Sequence, residues 1–360
     1  MILSGCRGPA TMRSVSLDYS RAYADSSNQQ MLLNLARRAN GHPIYFLQMG
    51  LINSSFQFGL TGSGNIGQTR THASGGALAT AAALSDTIAS GGNVGVSVAE
   101  QPTFSFTPLS GSSFAAALFN PIDPRVFFNL FNQGAPVDML MRVMVQSVAI
   151  TDGEGTRTFF NILDVEIPQN YRNFLTVAAL ARELQKKHLL RATPDASGFV
   201  LADGATQTII KLREDPAFQF DPDATSFQPS KTNVTQGAVS FNLRTFEGVL
   251  SALGKEARIF DYIVAKDGAR FTGRIPPSEL RPVLQIELDK SSHKWTAPVA
   301  EVTYMGKRYA IADPETDNPS STAFETSTWN RDVFNLLNQL YVQISLDPSK
   351  LPVQQLIQIH

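Results

Sequence analysis

Apolar and polar residues alternate along two stretches in the first third of the chain. In the first stretch, Phe56, Phe58 and Leu60 occupy every second position, with Gln57 and Thr61 among the residues between and after them. The second stretch has the same pattern, with Val94, Val96 and Val98 separated by Gly95 and Ser97. A period of two is typical of a β-strand that has one apolar face. The two stretches therefore predict an amphipathic β-hairpin within residues 53–109.

Other segments have the helical spacing of apolar residues. Four long helices are predicted, at Asp18–Ala39, Tyr171–His188, Phe246–Arg258 and Trp329–Ile344. Two shorter helices are indicated by start signals, because Asp123 can cap a helix that has Pro124 at its first position, and Pro136 can begin the next one. These segments predict a substantial helical content on both sides of residue 150.

Short strands are predicted between these helices. Their expected positions are Gly198–Ala202, Gln207–Lys211, Ala238–Arg244, Val283–Leu288, Ala300–Met305 and Arg308–Ala312, with a tight turn at Gly306-Lys307. The whole pattern predicts a mixed α+β fold with a glycine-rich hairpin and several short helices. We expect three regions: a lipid-anchored tether at 1–17, an N-terminal region with the hairpin and helices at 18–150, and an α/β region at 151–360.

Charge is scarce in the segment that contains the hairpin. Between Met49 and Pro121 the only charged residues are Arg70, Asp86 and Glu100. The chain has 360 residues, 43% of them hydrophobic, which is ample for a buried core. Its net charge of −1 does not favour binding to nucleic acid. We therefore expect no nucleic-acid partner.

The glycines Gly62, Gly64 and Gly67 form a G-x-G-x-x-G pattern, which can also cradle a dinucleotide phosphate. A dinucleotide-binding turn follows a strand that is buried on both faces, and it opens a helix. Here the preceding strand alternates, and the following "QTRTHASGG" is a poor helix former. The pattern is better explained by a strand in which another backbone approaches closely. No cofactor is predicted.

The remaining chemistry-bearing residues do not form a recognisable catalytic or metal motif. The five histidines, His42, His72, His188, His293 and His360, lack the close spacing of metal ligands, and there is one cysteine. The acidic alternation that starts at Asp313 resembles a calcium loop but has Asn318 where that loop requires glycine. We therefore predict no metal site and no enzyme. An envelope hydrolase whose residues converge from distant segments remains an alternative.

The N-terminal string Leu3-Ser4-Gly5-Cys6 resembles the lipobox of bacterial lipoproteins, in which the cysteine is acylated and becomes the mature N-terminus. Only five residues precede Cys6, fewer than a signal peptide needs, so this interpretation implies a longer precursor. The residue after the cysteine is Arg7. In lipoproteins that this chain resembles, such a residue implies the outer membrane, with the protein facing the periplasm.

Three phrases extend this resemblance: "MLLNLARR", "PTFSFTPLSGSSFAAAL" and "VTYMGKRYAIAD". With the lipobox, they make the chain look like a class of uncharacterised proteobacterial outer-membrane lipoproteins. The resemblance implies a localisation and no specific activity. Oligomeric export-channel lipoproteins, such as the curli secretion channel, offer an analogy of architecture in which each subunit contributes one membrane segment.

Two functions fit the low-charge hairpin. A strand needs about 9–11 residues to cross a bilayer, and both alternating stretches reach that length. The first function is a self-assembling outer-membrane pore or ring component, in which Phe56, Phe58, Leu60, Val94, Val96 and Val98 face the membrane or a subunit interface. Its partners would be further copies of the chain, outer-membrane lipid through Cys6 and other envelope proteins. The alternative is a monomeric periplasmic lipoprotein that scaffolds or binds a partner through the hairpin. The same alternation also fits an amphipathic hairpin that covers the soluble core.

The lipobox prediction can be tested by substituting its cysteine. When the chain is expressed behind a complete signal peptide, we expect it to fractionate with membranes, because acylation adds hydrocarbon that partitions into lipid. Cys6→Ser should release it into the soluble fraction, with Ser4→Ala as a control that retains the thiol. Unchanged membrane fractionation of Cys6→Ser would show that Cys6 is not the anchor.

Overall fold

The computed structural model describes residues 8–61, 95–152, 155–163, 168–192, 199–214, 238–256, 282–286, 295–313, 315 and 328–344. The helices in these ranges are α1 Gly8–Ala39, α2 Ser112–Phe119, α3 Pro124–Asn132, α4 Val137–Met144, α5 Pro168–Lys186, α6 Ala205–Glu214, α7 at 246–256 and α8 Trp329–Ile344. The strands are β1 Leu47–Thr61, β2 Gly95–Pro108, β3 Val145–Asp152, β4 Gly155–Phe160, β5 Leu190–Ala192, β6 Phe199–Leu201, β7 Ala238–Leu243, β8 Ala300–Tyr304 and β9 Lys307–Ile311. Helices mixed with small antiparallel sheets confirm the predicted α+β fold.

All the strand pairs in the described part of the chain are antiparallel. One sheet has three strands in the order β4-β3-β7, and three others are two-stranded, namely β1-β2, β5-β6 and β8-β9. The chain forms two compact units: Tyr45–Ser110 contains the β1-β2 hairpin, and Met1–Ile44 with Gly111–His360 contains everything else. The larger unit includes residues on both sides of position 150, because β3 spans that position and pairs with β7.

The core of the larger unit is built around α4. Every residue of this helix is buried, including Asp138 and Arg142. Helices α3, α5 and α8 add fully buried apolar side chains, among them Phe127, Phe174 and Phe334. The predicted positions of α3, α4 and α8 agree with the structure. Asp123 caps α3 by accepting a hydrogen bond from Arg125 N at 2.8 Å, and α8 has the predicted bounds.

Helix α1 begins earlier than its periodicity indicates. The tether expected at 1–17 is helical from Gly8 onward. Pro9 lies in the first turn, where its missing N–H costs no hydrogen bond, and no glycine or proline follows until Gly41. The apolar pattern marks only the buried C-terminal half, where Met31, Leu32 and Leu35 are at most 2% exposed. The pattern therefore could not show where the solvent-exposed half begins.

Several predicted strands have a different structure. Gln207–Lys211 lies within α6, and a short apolar run alone cannot distinguish a strand from a buried helix turn. Residues 283–286 are irregular rather than extended in a sheet, although Ala310 N donates to the Ile286 carbonyl at 2.9 Å. The hairpin of β8 and β9 is present, but its turn is one residue earlier than predicted, at Met305 and Gly306, which have φ of 51° and 75°.

The packing of α1 against α7 requires a glycine. A Cβ added at Gly254 would lie 2.9 Å from Ala39 N and 3.0 Å from the Leu35 carbonyl oxygen, both in the α1 backbone. The same two helices are joined through Arg38, which forms an ion pair with Glu247 and donates to Ser251 Oγ at 3.1 Å. This contact attaches the buried half of α1 to the rest of the larger unit.

Replacing this glycine should destabilise the protein in spite of its helical position. A Gly→Ala change inside a helix normally adds about 1 kcal/mol of stability. In Gly254→Ala the methyl group would meet rigid backbone, so we expect a net loss on the order of 1–3 kcal/mol in urea unfolding. The exposed neighbour provides a control, since Lys255→Ala should change stability by less than about 0.5 kcal/mol. An increase in the stability of Gly254→Ala would contradict the close helix contact.

Candidate assembly surface

The β1-β2 hairpin forms an unusually long two-stranded ribbon. Its strands have 15 and 14 residues, which corresponds to roughly 50 Å at about 3.4 Å per residue. Within the described part of the chain, neither strand pairs with a third one. A two-stranded hairpin is at best marginally stable in water, and each of its outer edges carries backbone groups that can pair with another strand. The ribbon therefore has the geometry of an element that is completed by further contacts.

An irregularity near the base of the hairpin preserves its two-faced character. The pairs Met49–Phe106 and Ile52–Phe104 are three residues apart on β1 but two apart on β2, so β1 carries one extra residue at Gly50-Leu51. Adjacent residues of a strand lie on opposite faces, and without this bulge Met49 would lie on the face opposite Ile52. The bulge restores Met49 to the apolar face.

Because directly paired residues lie on the same face, the register defines the composition of each side of the ribbon. One face, called the apolar face below, consists of Leu47, Met49, Ile52, Ser54, Phe56, Phe58 and Leu60 on β1 and of Val96, Val98, Glu100, Pro102, Phe104, Phe106 and Pro108 on β2. The opposite face consists of Gln48, Asn53, Ser55, Gln57, Gly59, Thr61, Gly95, Ser97, Ala99, Gln101, Thr103 and Thr107. Large apolar residues are confined to the first face.

The base of the apolar face is exposed to solvent. Leu47 is 47% exposed and Phe106 is 55% exposed. Each buried Å² of apolar surface stabilises by about 25 cal/mol, so covering these side chains with lipid or protein would be favourable.

One carboxylate interrupts the apolar face. Glu100 is paired with Phe56, and its neighbours along the face on β2 are Val98 and Pro102. It is the only ionisable side chain in the two described strands, since β1 contains none. Sequence reasoning counted Glu100 as a charge in the segment but did not assign it to a face. The alternation of Val96 and Val98 would have placed it there, since 100 follows the same even series.

Five of the six residues predicted to face a membrane or an interface lie on the apolar face. The register brings Phe56, Phe58, Leu60, Val96 and Val98 together on the apolar face, with Val98 opposite Phe58 and Val96 opposite Leu60. That this face meets a membrane or an interface stays a prediction. The lipidation site Cys6, the position Val94 and the motif Gly62–Gly67 lie outside the described residues.

The helix predicted at Tyr171–His188 ends at Lys186 in the structure, two residues before the predicted end. His188 follows the end of α5, has a left-handed φ of 58° and is exposed. The helix ends because the chain turns there, with Leu189 N donating to the Leu184 carbonyl at 2.8 Å. His188 therefore lies just beyond the helix and not on one of its faces.

The larger unit contains a separate cavity of about 410 Å³ beside α7. Its lining comprises Gln146, Asn161, Ile162, Leu163, Tyr171, Arg244, Thr245, Glu247, Gly248, Ser251, Ala252, Lys255 and Glu256. Several of its polar groups also support the fold. Arg244 donates to the carbonyl oxygens of Arg142 and Val143 at 3.1 Å each, and the Asn161 amide donates to the Val145 carbonyl at 2.8 Å.

Two residues that line this cavity, Tyr171 and Glu256, interact with the buried Arg142. Tyr171 donates to Glu256 Oε1 at 2.5 Å, and the Arg142 guanidinium lies 5.3 Å from the centre of the Trp329 ring. Burial raises the pKa of Glu256, although the Arg142 charge, the Tyr171 hydroxyl and Arg244 oppose this shift. Burial, followed by the nearby Glu256 charge, also raises the pKa of Tyr171 well above its usual value. The Arg142 charge thus opposes the effect of burial on the pKa of both groups.

Within the described ranges, no helix has the combination of length and apolar character needed to cross a membrane.

Comparison with protein-family models, with curated proteins and with solved structures finds no match to this chain.

The buried carboxyl predicts a specific pH dependence of stability. Because the pKa of Glu256 is raised in the fold, its contribution is fully present below the pKa of an unfolded glutamate, about 4.3, and is lost as the pH rises through the folded value. Over that interval the free energy of unfolding should fall by at most about 1.4 kcal/mol per pH unit from this group. Urea unfolding of Glu256→Gln at several pH values should lack this decrease.

A carboxyl with the opposite shift provides the control. Hydrogen bonds from Arg308, the first at 2.7 Å, lower the pKa of Glu301, so its contribution is present at neutral pH and lost on acidification. Glu301→Gln should therefore change the slope in the opposite direction. A Glu256→Gln variant with the wild-type pH profile would contradict the assignment.

Proposed function

We propose that the protein is a non-enzymatic envelope lipoprotein that self-assembles, as a pore or ring component of the bacterial outer membrane. The observation that carries this proposal is the two-faced register of the hairpin. Its large apolar residues that are paired across the two strands all lie on one face, and a bulge maintains that separation across Gly50-Leu51. A ribbon that only covered its own core would need no such uniformity beyond the area of contact.

The length of the ribbon supports a role in a membrane. A strand of about 9–11 residues crosses the hydrocarbon core of a bilayer, and both strands exceed this length. Glycine, serine, threonine, asparagine and glutamine make up nearly all of the opposite face, and such residues suit a water-filled lumen. Apolar residues facing lipid and polar residues facing water would satisfy both surfaces of the ribbon.

The edges of the ribbon support a role for several copies. A single hairpin cannot cross a bilayer, because the unpaired N–H and C=O groups of its edges would be transferred from water into hydrocarbon at a cost of several kcal/mol each. Hairpins from neighbouring copies can satisfy these groups by pairing edge to edge in a closed ring. Self-assembly and membrane insertion are therefore linked in this proposal.

Substitutions on the two faces of β1 should have opposite consequences. In Phe58→Arg a charge enters the apolar face, which costs about 2–4 kcal/mol near the middle of a bilayer, so assembly should be impaired. Gln57→Arg places the same charge one residue away on the polar face and should be tolerated. The measurement is the mass of the purified protein by size-exclusion chromatography with light scattering in mild detergent.

The same measurement distinguishes the alternative function. A wild-type chain that remains monomeric in detergent and in membranes would contradict the proposal and favour the periplasmic scaffold. Labelling of single cysteines along β1, in a Cys6→Ser background, adds a direct readout of environment. Positions 56 and 58 should react with a lipid-phase reagent and position 57 with a water-soluble one. Failure of both apolar positions to react with the lipid-phase reagent would exclude the pore.

A further inference from the structure

We propose that insertion of the apolar face into lipid takes up one proton per chain, at Glu100. This inference rests on the proposed function, because it concerns what happens when the apolar face leaves water. It identifies a position that would make assembly sensitive to pH.

The register provides the first step. Glu100 lies on the apolar face opposite Phe56, between Val98 and Pro102, with seven paired positions of β2 on its C-terminal side and five on its N-terminal side. A membrane-crossing stretch of about 9–11 residues taken from the 14 residues of β2 always includes position 100. Its carboxyl group would have to enter an apolar environment together with its neighbours.

The composition of the ribbon provides the second step. No lysine, arginine or histidine is present in β1 or β2, and no second acid is present either. A neighbouring copy that contributes the same two strands therefore brings no cation to this carboxylate, and it would bring only another Glu100. The charged and titratable residues of the intervening segment, Arg70, His72 and Asp86, lie outside the described residues.

The chemistry provides the third step. An isolated carboxylate in a medium of low dielectric constant is so costly that the group binds a proton instead of remaining charged. On insertion the Glu100 carboxylate would take one proton from water and become a neutral acid, and on release it would return that proton. Lower pH should therefore favour the inserted state.

The experiment measures how the full chain, produced without acylation, partitions onto vesicles of pure phosphatidylcholine. This lipid is zwitterionic between pH 5 and pH 8, so its own charge does not vary over the range. Above the pH at which a free glutamate ionises, about 4.3, the wild-type partition coefficient should fall by up to tenfold for each pH unit. Glu100→Gln should remain, at every pH, near the value that the wild type approaches in acid.

A matched variant tests the face as well as the residue. The double substitution Glu100→Gln with Gln101→Glu keeps the net charge and moves the carboxyl group by one residue to the polar face, where position 101 pairs with Ser55. This variant should partition like Glu100→Gln and show no pH dependence. A pH dependence equal to that of the wild type would overturn the assignment to the apolar face.

The remaining outcomes separate this inference from the proposed function. If Glu100→Gln partitions less than the wild type at neutral pH, a cation pairs with the carboxylate, and the proton-uptake inference is wrong. If both partition strongly and independently of pH, the inference fails while membrane insertion stands. If neither partitions at any pH and both remain monomeric in detergent, the proposed function fails and the inference fails with it.

Discussion

The packing of the larger unit depends on hydrogen bonds to the carbonyl groups at the C-terminal end of α4. This helix is buried throughout, so the carbonyl groups at its C-terminal end cannot be solvated and need donors from the protein. Arg244, which follows β7, donates to the carbonyl oxygens of Arg142 and Val143. Asn161, which follows β4, donates to the carbonyl oxygens of Arg142 and Val145. A cation beside a helix C-terminus is also favoured by the helix dipole. The three-stranded sheet and the helical core are therefore joined at one group of hydrogen bonds. Burial lowers the pKa of Arg244, and the interaction with Glu256 opposes this shift.

In the hairpin, the separation of apolar from polar residues depends on whether a residue has an odd or an even position in its strand. Each face of a strand contains every second residue, so one inserted residue exchanges the faces of everything beyond it. Leu47 and Met49 have odd numbers, whereas the apolar residues from Ile52 to Leu60 have even numbers. The single-residue bulge at Gly50-Leu51 reconciles the two series.

Periodicity predicted the elements that carry a complete apolar face, such as α8, α3 and the two alternating strands. It did not predict elements that are stabilised by other means. The exposed half of α1 has no buried stripe, α6 contains a short apolar run that suits either a helix or a strand, and residues 283–286 are held by single hydrogen bonds rather than by a sheet. The pairs between Phe58 and Val98 or between Phe56 and Glu100 depend on long-range register. The strands alone could suggest which residues share a face, but only the pairing shows that the two apolar series coincide.

The constraints on the ribbon also bear on one another. Free edges, an exposed apolar base and a uniform polar face could each occur on a monomeric protein for unrelated reasons. Together they describe an element whose three kinds of surface require three different partners: strand edges, apolar medium and water. In the proposed ring of copies in a bilayer all three would be satisfied at once, whereas packing on a soluble core would cover the apolar face and provide no further strand for the edges of the two described strands. In either arrangement Glu100 would leave water together with the rest of the apolar face, so the proposed protonation would report on the environment of that face.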